Sequence, residues 1–133
     1  MSLDLFLAAF RGGEEVPVDP AALELALARS GLAGERTAAM TADGGRAQLL
    51  VDEDGASFLV ERLTPELSRL VFDVARETRL VVLPADGTPK VFVVDAADVA
   101  GLPDDLEPSL VGSSAALYER LRASAETRGA RPA

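Results

Sequence analysis

Carboxylates are the side chains of this sequence with the most capacity for chemistry. The 133 residues include 22 acidic and 13 basic side chains, but no histidine and no cysteine. The sequence therefore lacks the commonest general base, the commonest zinc ligand and any thiol nucleophile. It contains no glycine-rich phosphate-binding motif, and its only lysine, Lys90, follows a predicted turn. We expect a non-catalytic protein without cofactor or metal, and catalysis by carboxylates alone is the alternative.

Acidic residues cluster in the predicted loops. The formal net charge is −9, so the surface repels nucleic acid and anionic membranes but attracts a basic protein. The predicted partner-binding residues are Glu14, Glu15, Asp52, Glu53, Asp54, Asp104, Asp105 and Glu107. The alternative is that these loops are solvated turns and that their charge only keeps the protein soluble.

The acidic run that begins at Asp52 resembles the start of a calcium-binding EF-hand loop. Such a loop needs an oxygen ligand four residues later, then a glycine, and a glutamate at its twelfth position. The sequence has Ala56, Ser57 and Leu63 at those places. We therefore expect no calcium site.

Two charged residues interrupt predicted strands. Asp4 lies in an apolar run from Leu3 to Phe10, and Arg62 lies on the apolar-alternating face of a strand from Ser57 to Leu63. A buried charge requires a partner, so we predict that Asp4 and Arg62 form a buried charge pair, with Arg11 as the alternative partner of Asp4. The alternative is that both side chains reach solvent near the ends of their strands.

The order of predicted elements indicates a single α+β domain over residues 1–126, with a disordered tail at 127–133. A β-α-β-β unit occurs twice, at 2–55 and 56–98, and both helices begin with an N-cap followed by proline, at Asp19-Pro20 and Thr64-Pro65. We expect a mainly antiparallel sheet with helices packed on it, plus a C-terminal helix capped by Ser113 or Ser114.

The two units are similar in sequence at their hairpins. Residues 41–52 align without gaps on residues 84–95, an offset of 43 residues, and five of these twelve positions are identical. Asp-Gly is the sequence that many tight hairpin turns require, so turn chemistry alone explains the Asp-Gly matches. The matching proline at both helix starts favours a true internal duplication, and both explanations stay open.

The segment after the second hairpin is less regular. We predict one helical turn over residues 95–100, a proline-bounded acidic loop over 102–108, and a last helix ending near Ala125. No apolar run approaches the ~20 residues that a membrane-spanning helix needs. The N-terminus has no basic stretch before its short apolar run, which predicts a cytoplasmic protein.

Several short motifs resemble those of a group of short, uncharacterised bacterial proteins common in actinobacteria. They are the opening Met1-Ser2-Leu3-Asp4 strand, the helix start Pro65-Glu66-Leu67, and the Leu102-Pro103-Asp104-Asp105 segment. This chain departs from the group at Leu70 and Phe72, where other members often carry tryptophan. Some members resemble immunity proteins that accompany secreted toxins, but the shared motifs are typical of the fold and not of a catalytic site, so the resemblance implies a fold and no catalytic residues.

Two kinds of function agree with these patterns. The first is a cytoplasmic protein-binding domain, immunity-like, that binds a basic protein through its acidic loops. The alternative is a small-molecule-binding or carboxylate-dependent enzymatic domain with a site between the two β-α-β-β units. A homodimer formed by pairing of an exposed sheet edge is a third arrangement compatible with the sequence.

Overall fold

The computed structural model describes residues 3–31, 36–52, 55–85 and 89–130, with side chains described except at 36–37 and 125–130. The first half of the chain forms β1 (Leu3–Arg11), β2 (Glu14–Val16), α1 (Pro20–Arg29), β3 (Arg36–Met40), β4 (Arg46–Asp52) and β5 (Gly55–Arg62). The second half forms α2 (Pro65–Thr78), β6 (Val81–Pro84), β7 (Lys90–Val93), the 3₁₀ helix η1 (Ala96–Gly101), β8 (Glu107–Leu110) and α3 (Ser114–Ala130). The α+β class is confirmed.

The eight strands form one sheet in the order β3-β4-β5-β1-β6-β7-β8, with β2 paired to the end of β1. All neighbouring pairs are antiparallel except β7 and β8. Because β5 and β6 are both antiparallel to β1, they run parallel to each other on its two sides. The connection through α2 therefore spans the central strand of the sheet.

The two β-α-β-β units are interleaved in this sheet. The first strand of the first unit, β1, lies between β5 and β6 of the second unit. The first strand of the second unit, β5, lies between β4 and β1 of the first. The two hairpins nevertheless occupy different positions. The β3–β4 hairpin faces the centre of the sheet with its second strand, β4, whereas the β6–β7 hairpin faces it with its first strand, β6. The element order repeats along the chain, but the strand positions do not.

The main core lies between one face of the sheet and the three helices. Alternate residues of the central strands point into it, including Leu5 and Phe58, and they meet Leu23 of α1, Val71 of α2 and Leu117 of α3. All of these side chains are at most 1% exposed. Alternation along a strand sends the intervening residues to the opposite face, which carries no α-helix in the described part of the chain.

Local chemistry fixes where the helices begin. Asp19 caps α1 by accepting from the N–H of Ala21 at 3.1 Å. Thr64 caps α2 by accepting from the N–H of Leu67 at 3.2 Å, and proline follows each cap as predicted. Ser113 accepts from the N–H of Ala116 at 3.1 Å, which makes it the cap of α3.

The parallel pair β7–β8 requires a crossover, because the chain must return from the end of β7 to the level of its start. Residues 94–106 make this return on the face opposite the helices. Leu102 and Leu106 of this segment pack on a second, smaller core that contains Val81, Val91 and Val93. The crossover therefore covers the β6–β7 half of that face.

Several predicted bounds differ from the structure. Residues 14–15 and 107–108 were predicted to lie in loops but belong to the short strands β2 and β8. Arg79 ends α2 in the left-handed conformation, with φ 57°, so β6 begins only at Val81. Helix α3 continues to Ala130, since each added residue contributes another backbone hydrogen bond. The predicted Asp86-Gly87 turn and the last three tail residues lie outside the described residues.

No helix among the described residues is both long and apolar enough to cross a membrane.

Candidate partner-binding face

Among the described residues, nothing covers one half of the sheet face opposite the helices. We call this half the open face and define it by Phe6, Leu50, Ser57 and Leu59. The strand register places Leu50 opposite Ser57, Ser57 opposite Phe6, and Phe6 opposite Leu83. Paired residues point to the same side of a sheet, so these side chains form a row across four strands. With strands ~4.8 Å apart, the row is about 14 Å long.

Phe6 is the most exposed apolar side chain of this row, at 44% of its surface. Its neighbours Leu50, Leu59 and Leu83 are half-buried, and Ser57 is the polar member of the row. A scattered apolar residue on a surface needs no explanation, but a contiguous set on an uncovered sheet face is typical of an interaction site.

A cavity of about 350 Å³ lies against one side of Phe6. Its wall includes Leu83 and Gly55, and two of the predicted partner-binding acids, Glu15 and Asp52, also line it. Glu15 is brought there by the short strand β2, which pairs it with Phe10 of β1. Asp52 is brought there by the β4–β5 hairpin, where it pairs with Gly55. Two acidic loops that are 37 residues apart in the sequence therefore meet beside one apolar patch.

Gly55 permits this close approach of β5 to β1. Its φ is +143°, and a side chain at this position would collide with the carbonyl oxygen of Leu7. Only glycine fits without strain, so the rim of the cavity depends on this residue as well as on the acids.

The remaining predicted acids are distributed unevenly. Glu14 lies next to Glu15 in β2, where the adjacent Gly13 donates its N–H to the carbonyl of Gly101 at 3.1 Å. Asp104 and Asp105 are exposed on the crossover, which lies on the same side of the sheet as the open face. Among the described acids, only Glu15 and Asp52 line the cavity beside Phe6.

The other three predicted acids are Glu107, Glu53 and Asp54. Glu107 pairs with Lys90 at the start of β7, the opposite end of that strand from η1. It is therefore not part of the cluster around Phe6. Glu53 and Asp54 lie outside the described residues.

The predicted buried pair of Asp4 and Arg62 is not formed. Asp4 is half-buried and lies opposite Leu59, whereas Arg62 is exposed and lies opposite Arg46 after an irregularity in the β4–β5 register. No ion pair within 4.0 Å joins them in the described part of the chain. The strand register therefore separates two residues that alternation alone had suggested as partners, and neither lines the cavity beside Phe6.

Metal binding was tested among the described residues. No group of three or more histidine, cysteine, aspartate or glutamate side chains in these ranges is placed to hold a metal ion.

The feature that sequence reasoning missed is Phe6. A central strand with neighbours on both sides reads as a continuous apolar run, and Phe6 falls within such a run between Leu5 and Leu7. Alternation within β1 would have separated it from these two core residues, but only the sheet order shows that its side is uncovered.

Comparison with known proteins gave no matching family model, no matching curated protein and no matching solved structure.

Proposed function

We propose that this chain is a cytoplasmic, non-catalytic protein-binding domain that binds a basic protein on its open face. The observation that carries the proposal is the exposed Phe6 with Glu15 and Asp52 at the rim of the adjoining cavity. Protein interfaces commonly combine an apolar centre, often aromatic, with a polar rim. The open face has both parts.

The charge of the chain indicates the kind of partner. A net charge of −9 on 133 residues accelerates encounter with a basic protein and disfavours acidic ones. Lysine and arginine side chains of the partner would reach the carboxylates at the rim, while an apolar residue would cover Phe6. Some members of the group that the sequence resembles are similar to immunity proteins that accompany secreted toxins, so we propose a toxin as the basic partner.

The test uses the full-length protein as bait in a native lysate of its source organism, at low and moderate salt. Three variants are compared with the wild type: Phe6→Ala, the pair Glu15→Gln with Asp52→Asn, and the pair Glu24→Gln with Glu119→Gln. The last pair removes the same charge from exposed positions on helices α1 and α3, and it serves as the matched control.

The captured protein is then purified and titrated against each variant by calorimetry. We expect binding that weakens as salt rises, an affinity loss of about tenfold or more in the Phe6 variant, and a weaker salt dependence in the rim variant. The control pair retains wild-type affinity. Recovery of no partner at either salt, or equal losses in the rim and control pairs, would refute the proposal.

A further inference from the structure

A second cavity, larger than the one beside Phe6, lies at the junction between the two β-α-β-β units. Its volume is about 640 Å³, within the ~300–1,000 Å³ typical of small-molecule sites. Its walls are formed by the end of β1, the segment that leads into α1, the connection from α2 to β6, and η1. It shares no lining residue with the cavity beside Phe6.

The walls of this junction cavity are partly apolar. Phe10, Val16 and Val18 line one side, and Leu80 and Val81 line another. Val16, Val18 and Phe10 are only half-buried, so apolar surface remains accessible inside the cavity. A ligand with a carbon chain would cover that surface.

Arg79 is held at this cavity in the left-handed conformation. Its φ of 57° is the only positive value at a non-glycine residue in the described part of the chain. Its guanidinium is fixed by Asp98 at 3.2 Å and approached by Asp95 at 3.8 Å. The left-handed conformation is common at the end of a helix, and Arg79 adopts it as the C-cap of α2.

The acidic groups of the cavity are already engaged. Asp98 pairs with Arg79, and Asp19 accepts the N–H of Ala21 at the start of α1. Burial raises the pKa of Asp98, Arg79 lowers it and Asp95 raises it again, with a net increase. Both carboxylates therefore already have hydrogen-bond donors within the chain.

Arg11 is the charged residue of this cavity that has no ion-pair partner among the described residues. It lines the cavity, it is exposed, and among the described residues no acid lies within 4.0 Å of it, although Glu14 is its partner in the β1–β2 register. On a chain of net charge −9, a second guanidinium at the mouth of a partly apolar cavity favours an anion. Guanidinium groups match the planar carboxylate in particular.

We propose that the junction cavity binds a small organic carboxylate, with its charged head at Arg11 and its carbon chain along the apolar wall. This site is separate from the open face and independent of the protein-binding proposal.

Hexanoate is a suitable probe, with hexan-1-ol as its uncharged counterpart and inorganic phosphate as an anion without a carbon chain. Each is titrated into the isotopically labelled protein, and the amide resonances of Gly12 and Gly101, which line the cavity, are followed by NMR. We expect saturable shifts at these residues with hexanoate and much weaker binding of the alcohol and of phosphate.

Two variants and two controls locate the site. Arg11→Gln should weaken hexanoate binding about tenfold, as expected for loss of a charge-assisted hydrogen bond. Arg62→Gln removes another exposed arginine that does not line the cavity, and it should have no effect. Ala97→Phe should fill the cavity and abolish binding, whereas Ala28→Phe on the exposed side of α1 should not.

The proposal fails if hexanoate gives no saturable shifts. It also fails if Arg11→Gln binds as well as the wild type, or if phosphate and hexan-1-ol bind as tightly as hexanoate. None of these outcomes bears on the open face, whose test measures protein capture.

Discussion

Asp43 and Glu66, which are far apart in the sequence, are joined by two reciprocal hydrogen bonds. The N–H of Glu66 donates to Oδ2 of Asp43 at 3.0 Å, and the N–H of Asp43 donates to Oε2 of Glu66 at 2.8 Å. Asp43 belongs to the β3–β4 turn and Glu66 to the first turn of α2. The hairpin therefore supplies a second cap to a helix that already has Thr64 as its own. This reciprocal bond joins the two β-α-β-β units through side chains as well as through the sheet.

The Asp43 carboxylate should make stability depend on pH. Burial raises its pKa, but hydrogen bonds from the hydroxyls of Thr41 and Thr64 and the N–H groups of Glu66 and Gly45 hold the pKa well below the usual range. A carboxyl whose folded pKa is depressed stabilises the fold above its unfolded value, near pH 4, and loses this contribution as pH falls.

We therefore expect Asp43→Asn to lower the thermal unfolding midpoint at neutral pH, with a difference from the wild type that shrinks in acid. Circular dichroism melts over a pH series measure this. Asp105→Asn, at an exposed crossover position, is the control. A midpoint difference that stays constant across the series contradicts the role assigned to Asp43.

Thr64 is the second testable part of this contact. It is 8% exposed, its Oγ accepts from the N–H of Leu67, and that atom lies 3.3 Å from Oγ of Thr41. Thr64→Ala should cost about 1 kcal/mol of unfolding free energy, as for other N-cap losses. Thr64→Ser keeps the hydroxyl and should recover most of it. Urea unfolding gives both values, and equal losses in the two variants would show that the methyl group matters more than the cap.

Gly55 should tolerate no side chain. Its positive φ and the collision that a Cβ would make with the Leu7 carbonyl lead us to expect Gly55→Ala to cost about 1–3 kcal/mol. A Cβ at Gly112 would have no neighbour within 4 Å, so Gly112→Ala should stay within about 0.5 kcal/mol of the wild type. Denaturant unfolding of the two variants, side by side, checks the contrast.

For Ser68 we predict a substitution that raises the stability of the protein. Its side chain is fully buried in α2, and its Oγ has no hydrogen-bond partner among the residues that the structure describes. Ser68→Ala removes an unsatisfied polar atom and adds a better helix former, so we expect a gain of about 1 kcal/mol.

The reverse substitution tests the same reasoning. Ala75 is equally buried in the same helix, and Ala75→Ser should destabilise the protein by about 1–3 kcal/mol. Loss of stability in Ser68→Ala would mean that the hydroxyl makes a favourable contact after all.

Features set by local chemistry could be read from the sequence, and those set by strand order could not. The caps Asp19 and Thr64 and the Asp43-Gly44 turn depend on residues within a few positions of one another, so their sequence patterns suffice. β2 and β8 are short and lie beside strands rather than between two, and their Glu14-Glu15 and Glu107-Pro108 pairs resemble turns. Backbone pairing with a distant segment makes them strands.

The same distinction applies to the candidate sites. The acidic residues Glu15 and Asp52 could be selected by charge, but their meeting beside Phe6 depends on which strand neighbours which. Arg11 and Arg79 were not predicted to line a cavity, because exposed arginines are common in this chain and the junction cavity exists only once β1, α2 and η1 are packed. The predicted Asp4–Arg62 pair was wrong for the same reason, because the prediction assumed a strand register that the sheet does not have.

The central position of β1 in the sheet has a consequence for folding during synthesis. Strand β1 precedes both of its neighbours in the chain by a long interval, since they end only at Arg62 and Pro84. One edge of this apolar strand therefore waits for β5 and the other for β6, and pairing between distant segments is slow. Nascent chains that stop near Asp52 would expose β1 to other chains and to chaperones. The interleaving that joins the two units also means that neither can fold before the other.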